Sequence, residues 1–251
     1  MPAAVAVIAH RGASGLTGED NTLRSFAAAI ELGCDYVEFD VRRVRDGLVC
    51  FHDDRLGPTP VAEFTLAELR ERAAVAVPTL DEVLAFCRGR IGLDVEIKDA
   101  GIEAEVVKSL RAVCDAAPLL VKSFDRSVVA RVVAMKPGYP VGLLVGPPRA
   151  QTPGESSAGS SAAGVARPPI EPLRAAMAAT RELGADFLSP HHSLLADEAA
   201  ARSLLPEMPT YVWTVNDVAS MSRLTTLPIC GIITDRPDLL LPLVSGKPPR
   251  G

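Results

Sequence analysis

Residues 5–32, VAVIAHRGASGLTGEDNTLRSFAAAIEL, contain the structural unit from which the fold can be predicted. The apolar run at 5–9 predicts a buried strand, which ends abruptly in His10 and Arg11. A loop with three glycines follows, and an acidic-polar cluster at 19–22 opens an amphipathic helical segment that ends at Gly33. The stretch therefore predicts a strand, a loop and a helix, with ionisable side chains where the strand ends.

The rest of the chain repeats this alternation of strand and helix. Further strands are predicted at 36–42, 92–98, 119–124, 141–145, 186–189, 210–215 and 229–234. Helical segments are predicted at 66–74, 80–87, 102–116, 127–135, 197–204 and 218–224 and in a segment ending at 183, whereas the last strand is followed by the chain end. The strand at 36–42 continues into a hairpin partner at 48–52 across an Asp46-Gly47 turn. Eight main strands in about 250 residues favour an α/β fold of the closed (β/α)8 barrel type over an open sheet.

We predict a single barrel domain over residues 1–251, because the alternation continues along the chain with one break. The break, at 146–172, is dominated by glycine, proline, serine and alanine. Such a composition cannot form a packed face, so it predicts a flexible loop.

Composition excludes several classes of partner and location. The chain has 251 residues and a formal net charge of −5, which argues against nucleic acid or an anionic membrane as the main partner. Mean hydropathy is +0.20, but no uncharged apolar stretch approaches the roughly 20 residues of a transmembrane helix. The N-terminal residues contain no basic leader, and the five scattered cysteines have no zinc-ligand spacing. We therefore expect a cytoplasmic protein with free thiols.

Two predicted strands carry carboxylates on one face and apolar side chains on the other. In DYVEFDVRR (35–43), Glu38 and Asp40 alternate with valine and phenylalanine. In GLDVEIKD (92–99), Asp94, Glu96 and Lys98 alternate with leucine, valine and isoleucine. The apolar face suits the helix layer, so the charged face must point into the barrel, where an unpaired charge is costly.

Seven ionisable side chains are expected to meet at the mouth of the barrel, because parallel strands place their carboxyl ends on one face. They are the carboxylates Glu38, Asp40 and Glu96, the cations Arg11 and Lys98, and the imidazoles His10 and His52. Carboxylates suit a hard divalent ion such as Mg2+ or Ca2+, a guanidinium matches phosphate oxygens, and imidazoles exchange protons near neutral pH. The set therefore predicts hydrolysis of a phosphoester.

The chain also resembles the glycerophosphodiester phosphodiesterase family over nearly its whole length. The matching motifs, in order, include HRGASG at 10–15, NTLRSFAAAIELGCDYVEFDV at 21–41, VEIK at 95–98, SFD at 123–125, VWTVN at 212–216 and GIITDRPDLL at 231–240. The resemblance implies a (β/α)8 barrel with a short insertion at 53–78, between the second and third barrel strands. It also implies cleavage of small-molecule glycerophosphodiesters to glycerol 3-phosphate and an alcohol. The implied cofactor is a divalent metal ion, Mg2+ or Ca2+ in the first place and Mn2+ as a further candidate.

The same resemblance implies roles for individual side chains. It implies an acid–base pair in His10 and His52, metal ligands in Glu38, Asp40 and Glu96, phosphate contacts in Arg11 and Lys98, and a substrate-packing aromatic in Trp213. For Trp213, the only tryptophan, a plain core aromatic is an equally good explanation.

The chain departs from the family pattern in two places near these residues. Where the family has Pro-Glu-Asn-Thr, this chain has EDNT at 19–22, so either Asp20 or Glu19 takes the place of the family's glutamate. A simple helix cap formed by Asp20 or Asn21 is the competing explanation. Lys122 stands where the family commonly has a glutamine, and it adds a positive charge close to the site.

The sequence leaves two other functions open. Residues 56–60 replace a polar segment that shapes the entrance in the family, and a long apolar entrance would favour a phosphodiesterase acting on lysophospholipids. The altered residues around Asp20 are the only support for a barrel that binds phosphodiesters without turnover. His191 and His192 are interpreted as part of a polar loop in preference to metal ligands. The oligomeric state cannot be predicted.

Overall fold

The computed structural model describes residues 5–147 and 170–245, so most of the predicted loop at 146–172 lies outside the described residues. Within them, the strands are β1 (Ala6–Ala9), β2 (Tyr36–Val44), β3 (Gly47–Cys50), β4 (Arg55–Leu56), β5 (Thr59–Pro60), β6 (Gly92–Ile97), β7 (Leu119–Ser123), β8 (Val141–Val145), β9 (Phe187–Pro190), β10 (Tyr211–Val212) and β11 (Gly231–Thr234). The α-helices are α1 (Ser14–Thr17), α2 (Leu23–Leu32), α3 (Leu66–Arg72), α4 (Leu80–Cys87), α5 (Glu103–Arg111), α6 (Arg126–Ala134), α7 (Ile170–Glu182), α8 (Glu198–Leu204), α9 (Val218–Leu224) and α10 (Pro237–Ser245). None of these helices is long and apolar enough to cross a membrane.

Eight of the strands form a nearly closed parallel barrel in the order β10-β11-β1-β2-β6-β7-β8-β9. Isolated parallel bridges from Leu188 to Thr210 and from His191 to Trp213 connect the two ends of this order. β10 is shorter than the strand predicted at 210–215. The prediction of a (β/α)8 barrel is confirmed.

Threonines begin three of the helices that follow the early strands. Thr22, Thr65 and Thr79 are the N-caps of α2, α3 and α4, and each forms a reciprocal capping box with the residue three positions later. The competing explanation, in which Asp20 or Asn21 simply caps α2, is therefore wrong. Asn21 has a left-handed backbone (φ 53°) and belongs to the preceding loop.

The structure differs from the sequence prediction at the hairpin and at two helices that were not predicted. β2 continues to Val44, which pairs with Gly47, so the turn lies one residue before the predicted Asp46-Gly47 turn. Val44 extends the strand because it is buried in a small cluster with Val49 and Phe64. The glycine loop after β1 contains the one-turn helix α1, and the last strand is followed by α10.

Residues 53–78, which the sequence assigns to an insertion, contain β4, β5 and α3 together with a short 3-10 helix at Val61–Glu63. Val61, Phe64 and Leu69 from this region pack on the same small cluster, beside the hairpin of β2 and β3. The region is thus attached to the barrel through the hairpin.

The side chains of β2 and β6 alternate between the two sides of the barrel wall. Phe39 of β2 packs outward against Phe26 of α2, with ring centroids 5.9 Å apart. The charged side chains point inward, and the strand register places them in two layers: an inner layer of Glu38 beside Asp94, and an outer layer of Asp40 beside Glu96. Four carboxylates therefore face each other near the carboxyl ends of these strands.

Candidate active site

A cavity of about 200 Å3 lies at the carboxyl ends of the barrel strands. Its lining residues are His10, Arg11, Glu38, His52, Glu96, Lys98, Lys122, Phe124, Leu144, Trp213, Thr214 and Ile233. Asp40 lies directly behind this lining, within 3.4 Å of both Arg11 and Lys98. A larger open groove of about 700 Å3 lies in the outer helix layer beside α4 and α5, away from these residues. The structure thus brings together all eight side chains to which the sequence assigned roles.

Three buried carboxylates form the acidic centre of the cavity. Glu38, Asp40 and Glu96 each offer an oxygen atom within 4.8 Å of the others, and all three side chains are at least nine-tenths shielded from solvent. Asn21 holds Asp40 in place with two hydrogen bonds. Its Nδ2 donates to Asp40 Oδ2 (2.8 Å), and its Oδ1 accepts from the Asp40 amide (3.0 Å). Three hard oxygen donors at this spacing fit a divalent cation.

Two cations contact the same carboxylates. Lys98 Nζ lies 2.9 Å from Glu96 and 3.4 Å from Asp40, while Arg11 Nε lies 3.3 Å from Asp40. Burial alone would raise the pKa of Asp40, but Lys98 and Arg11 outweigh it and hold that pKa below its usual value. For Glu96, burial and the charge of Asp40 raise the pKa to about 7 despite Lys98. Of the two carboxyl groups in the outer layer, Asp40 therefore loses its proton at a lower pH than Glu96.

The contacts of Arg11 distinguish Asp20 from Glu19, the two candidates for the family's glutamate at 19–22. Its Nη1 donates to Asp20 Oδ2 at 3.0 Å, so Asp20 reaches the site through the guanidinium. Glu19 instead accepts from Arg24 (2.7 Å) and Thr22 (3.2 Å) and points towards helix α2. Among the described residues, neither belongs to the carboxylate triad.

Each of the two histidines in the cavity, His10 and His52, has a carboxylate on its Nδ1 atom. His10 Nδ1 lies 2.6 Å from Asp235 Oδ1, and His52 Nδ1 lies 2.7 Å from Asp53 Oδ1. His10 Nε2 lies 3.9 Å from Glu38. Burial alone would lower the pKa of His10, but Glu38 and Asp235 outweigh it and raise that pKa above its usual value.

Asp235 is a site residue to which the sequence analysis assigned no role. Ser14 Oγ (3.1 Å) and Asn216 Nδ2 (2.5 Å) donate to its carboxylate, and together with His10 they hold its pKa at about 2 against the effect of burial. The predicted closure of the barrel already implied that Asp235 lies beside His10. Closure pairs β1 with β11 in a register of Ala9 with Thr234, which places the next residues of both strands side by side.

Aromatic side chains form one wall of the cavity. Trp213 Nε1 donates to the carbonyl of Ser189 (2.9 Å), and its ring makes edge contacts with Phe124 and His191. Phe124 is 44% exposed at the rim. His191 accepts from the amide of Ser193 and caps a 3-10 helix, which is the polar-loop arrangement expected from the sequence.

Comparisons with known proteins agree with this geometry. The model of the glycerophosphoryl diester phosphodiesterase family matches residues 10–239. A glycerophosphodiester phosphodiesterase of Caldanaerobacter subterraneus subsp. tengcongensis is 29% identical over 260 residues, covering 95% of this chain and 97% of the relative.

Solved structures extend the comparison to three dimensions. A glycerophosphodiester phosphodiesterase from Thermotoga maritima shares 26% identity with a TM-score of 0.71, covering 95% of this chain and 98% of that one. A phosphodiesterase from Oleispira antarctica, solved with the product sn-glycerol-3-phosphate, shares the fold at 24% identity, a TM-score of 0.73 and coverages of 96% and 97%. The chain described here belongs to the glycerophosphoryl diester phosphodiesterase family of hydrolases.

Proposed function

We propose that this chain hydrolyses glycerophosphodiesters to glycerol 3-phosphate and an alcohol, using a divalent metal ion. The observation that carries the proposal is the convergence, in one cavity of a family member, of a carboxylate triad, two cations and two histidines with carboxylate partners. A barrel that binds the diester without turnover would not require two such histidine–carboxylate pairs.

Glu38, Asp40 and Glu96 are the proposed metal ligands. Oxygen-only donors favour Mg2+ or Ca2+, with Mn2+ as a further candidate, over softer ions that prefer nitrogen or sulfur. When bound, the ion would polarise the phosphoryl group and neutralise part of its negative charge.

Arg11 and Lys98 are the proposed phosphate contacts. Arg11 Nε is buried and forms no hydrogen bond with the described residues, although it lies 3.3 Å from Asp40. Arg11 lines the cavity, and the planar fork of its five N–H donors matches the oxygens of a phosphate that enters it. Lys98 lies on the other side of Asp40, so the two cations flank the cavity.

His10 and His52 are the proposed acid–base pair. Asp235 and Asp53 accept from the Nδ1 positions, which leaves Nε2 of each ring for proton transfer. One histidine would give its proton to the oxygen of the leaving alcohol, and the other would take a proton from the attacking oxygen. Asp235 positions His10 by fixing the ring orientation and the tautomer.

The first test is release of glycerol 3-phosphate from glycerophosphocholine. We expect product to disappear with EDTA, to return when Mg2+, Ca2+ or Mn2+ is restored, and to be absent in His10→Ala. Turnover that survives EDTA treatment would contradict the metal-dependent mechanism, and tight substrate binding without turnover would favour a binding barrel.

A lysophospholipid-directed phosphodiesterase is the second candidate. It is favoured by the exposed ring of Phe124, which extends the aromatic wall to the rim. Assays of lysophosphatidylcholine beside glycerophosphocholine discriminate the two, because an acyl chain needs an apolar surface well beyond a cavity of about 200 Å3.

A further inference from the structure

Lys122 of β7 is a buried cation that the proposed mechanism does not use. Its side chain is 2% exposed and lines the central cavity. Its Nζ lies 2.5 Å from Asp94 Oδ2 and 3.7 Å from Glu38 Oε1. A buried ammonium is costly unless carboxylates compensate it, so its position is determined by these two acidic partners.

The two lysines of the site divide the carboxylate layers between them. Lys98 lies between the members of the outer layer, Asp40 and Glu96. Lys122 lies in the same way between the members of the inner layer, Glu38 and Asp94. Each pair of facing carboxylates therefore has its own ammonium, and together with Arg11 three cations offset part of the charge of four carboxylates.

Asp94 differs from the other three carboxylates. It lies outside the triad, and its Oδ1 is buried without a hydrogen-bond partner among the described residues. Its closest charged contact is Lys122, which lies nearer to Asp94 than to Glu38. Asp94 thus holds the Lys122 ammonium away from Glu38, the proposed metal ligand, and reduces the effect of the ammonium on Glu38.

We infer that Lys122 is an internal counter-ion of Glu38, and that its charge, moderated by Asp94, lowers the affinity of the triad for divalent cations. This inference rests on the proposed metal site. The ammonium holds Glu38 in place when no metal is bound, and it repels a divalent ion that binds to the same carboxylate. The site would then persist without metal and exchange the ion readily.

Two variants separate the effect of the Lys122 charge from that of the Asp94 charge. Asp94→Asn keeps a hydrogen-bond acceptor for Lys122 but leaves its charge opposed by Glu38 alone. The double variant Asp94→Asn/Lys122→Gln replaces the ion pair with two neutral amides and leaves the net charge unchanged. Asp94→Asn is isosteric, and Lys122→Gln shortens the side chain but keeps a hydrogen-bonding end, so we expect both variants to fold.

The experiment is isothermal titration calorimetry of Mn2+ and Ca2+ into EDTA-treated, dialysed wild type and both variants, without substrate. We expect Asp94→Asn to bind about tenfold more weakly than wild type, and the double variant to bind at least about tenfold more tightly than Asp94→Asn. The rise in Tm on adding metal should follow the same order.

A purely structural ion pair would give a different pattern. If both variants lose Tm but bind the ions with the wild-type Kd, the inference is overturned while the metal site stands. If wild type binds neither ion at millimolar concentration, the proposed metal site falls and the inference with it. Glycerophosphocholine turnover, assayed separately, distinguishes this case from a failure of the proposed activity.

Discussion

Replacing Asp235 with asparagine should slow the proposed reaction without unfolding the barrel. The carboxylate accepts from His10 on one oxygen and from Asn216 on the other. An asparagine keeps the shape but has one acceptor oxygen, so it can satisfy only one of these donors. If its amide nitrogen faces His10, the ring must present Nδ1 as an acceptor and carry its proton on Nε2, which is the wrong tautomer for accepting a proton there.

The expected size of the effect follows from the bond that is lost. A hydrogen bond to a charged partner contributes about 1.5–3 kcal/mol, and each 1.36 kcal/mol is a factor of ten in rate, so kcat should fall roughly 10- to 150-fold. Asp235 also opposes the effect of burial on His10. Its loss should therefore lower the pKa of His10 and move the corresponding limb of the pH–rate profile to lower pH.

The assay is kcat and KM for glycerophosphocholine across pH 5–9 at saturating metal. Asp217→Asn is the matched control, since Asp217 caps α9 through Ser220 and asparagine is also a good cap. We expect the control to retain kcat within about twofold. An Asp235→Asn enzyme with wild-type kcat, or one in which only KM rises, would refute the positioning of His10 by this carboxylate.

Four further predictions concern the proposed metal site and the barrel core. Because the pKa of Glu96 is raised to about 7, its carboxyl must lose a proton to bind metal below that pH, so calorimetry at pH 6 and 8 should show weaker metal binding at pH 6. By the same shift, metal-free protein should lose stability as pH rises from about 4.5 to about 7 and change little above that, as a Tm series will show. Asn21→Ala and Asn21→Gly should both weaken metal binding by about tenfold or more, because both remove two hydrogen bonds to Asp40, a proposed metal ligand. Only the alanine adds backbone strain, so it should lower Tm further. Gly142→Ala should lower the free energy of unfolding, measured by urea denaturation, by about 1–3 kcal/mol or more, because the added methyl group would overlap the ring of Phe187. Gly47 has open space around it, so Gly47→Ala should be near neutral.

The sequence was sufficient to predict the barrel and the direction of its charged side chains. Strands buried on both sides appear as short apolar runs, and their alternation with helical segments leaves few topologies. Period-two alternation then placed Glu38 and Asp40 on the face opposite Phe39, which packs against α2 as expected. Both inferences depend on local patterns, which a sequence displays directly.

Individual pairings that depend on distant contacts were not predicted. Asp235 is 225 positions from His10, and only closure of the barrel brings them together. The hairpin turn was misplaced because Val44 is buried by a cluster that includes Phe64, a contact that turn preferences do not contain. Local turn chemistry is a weak guide where tertiary burial competes with it.

Lys122 illustrates which part of the site could not be predicted from the sequence. The sequence identified an extra positive charge near the site, but not which carboxylate it would compensate. Alternation along a strand fixes the face on which a side chain lies, whereas the layer it reaches depends on the register between neighbouring strands. Lys122 is in register with Glu96, yet its long side chain reaches back to the inner layer, because Lys98 already lies between the two carboxylates of the outer layer. In a barrel interior shielded from bulk solvent, each buried carboxylate pair needs a cation, so the partner of a given lysine is decided by the register of three strands together.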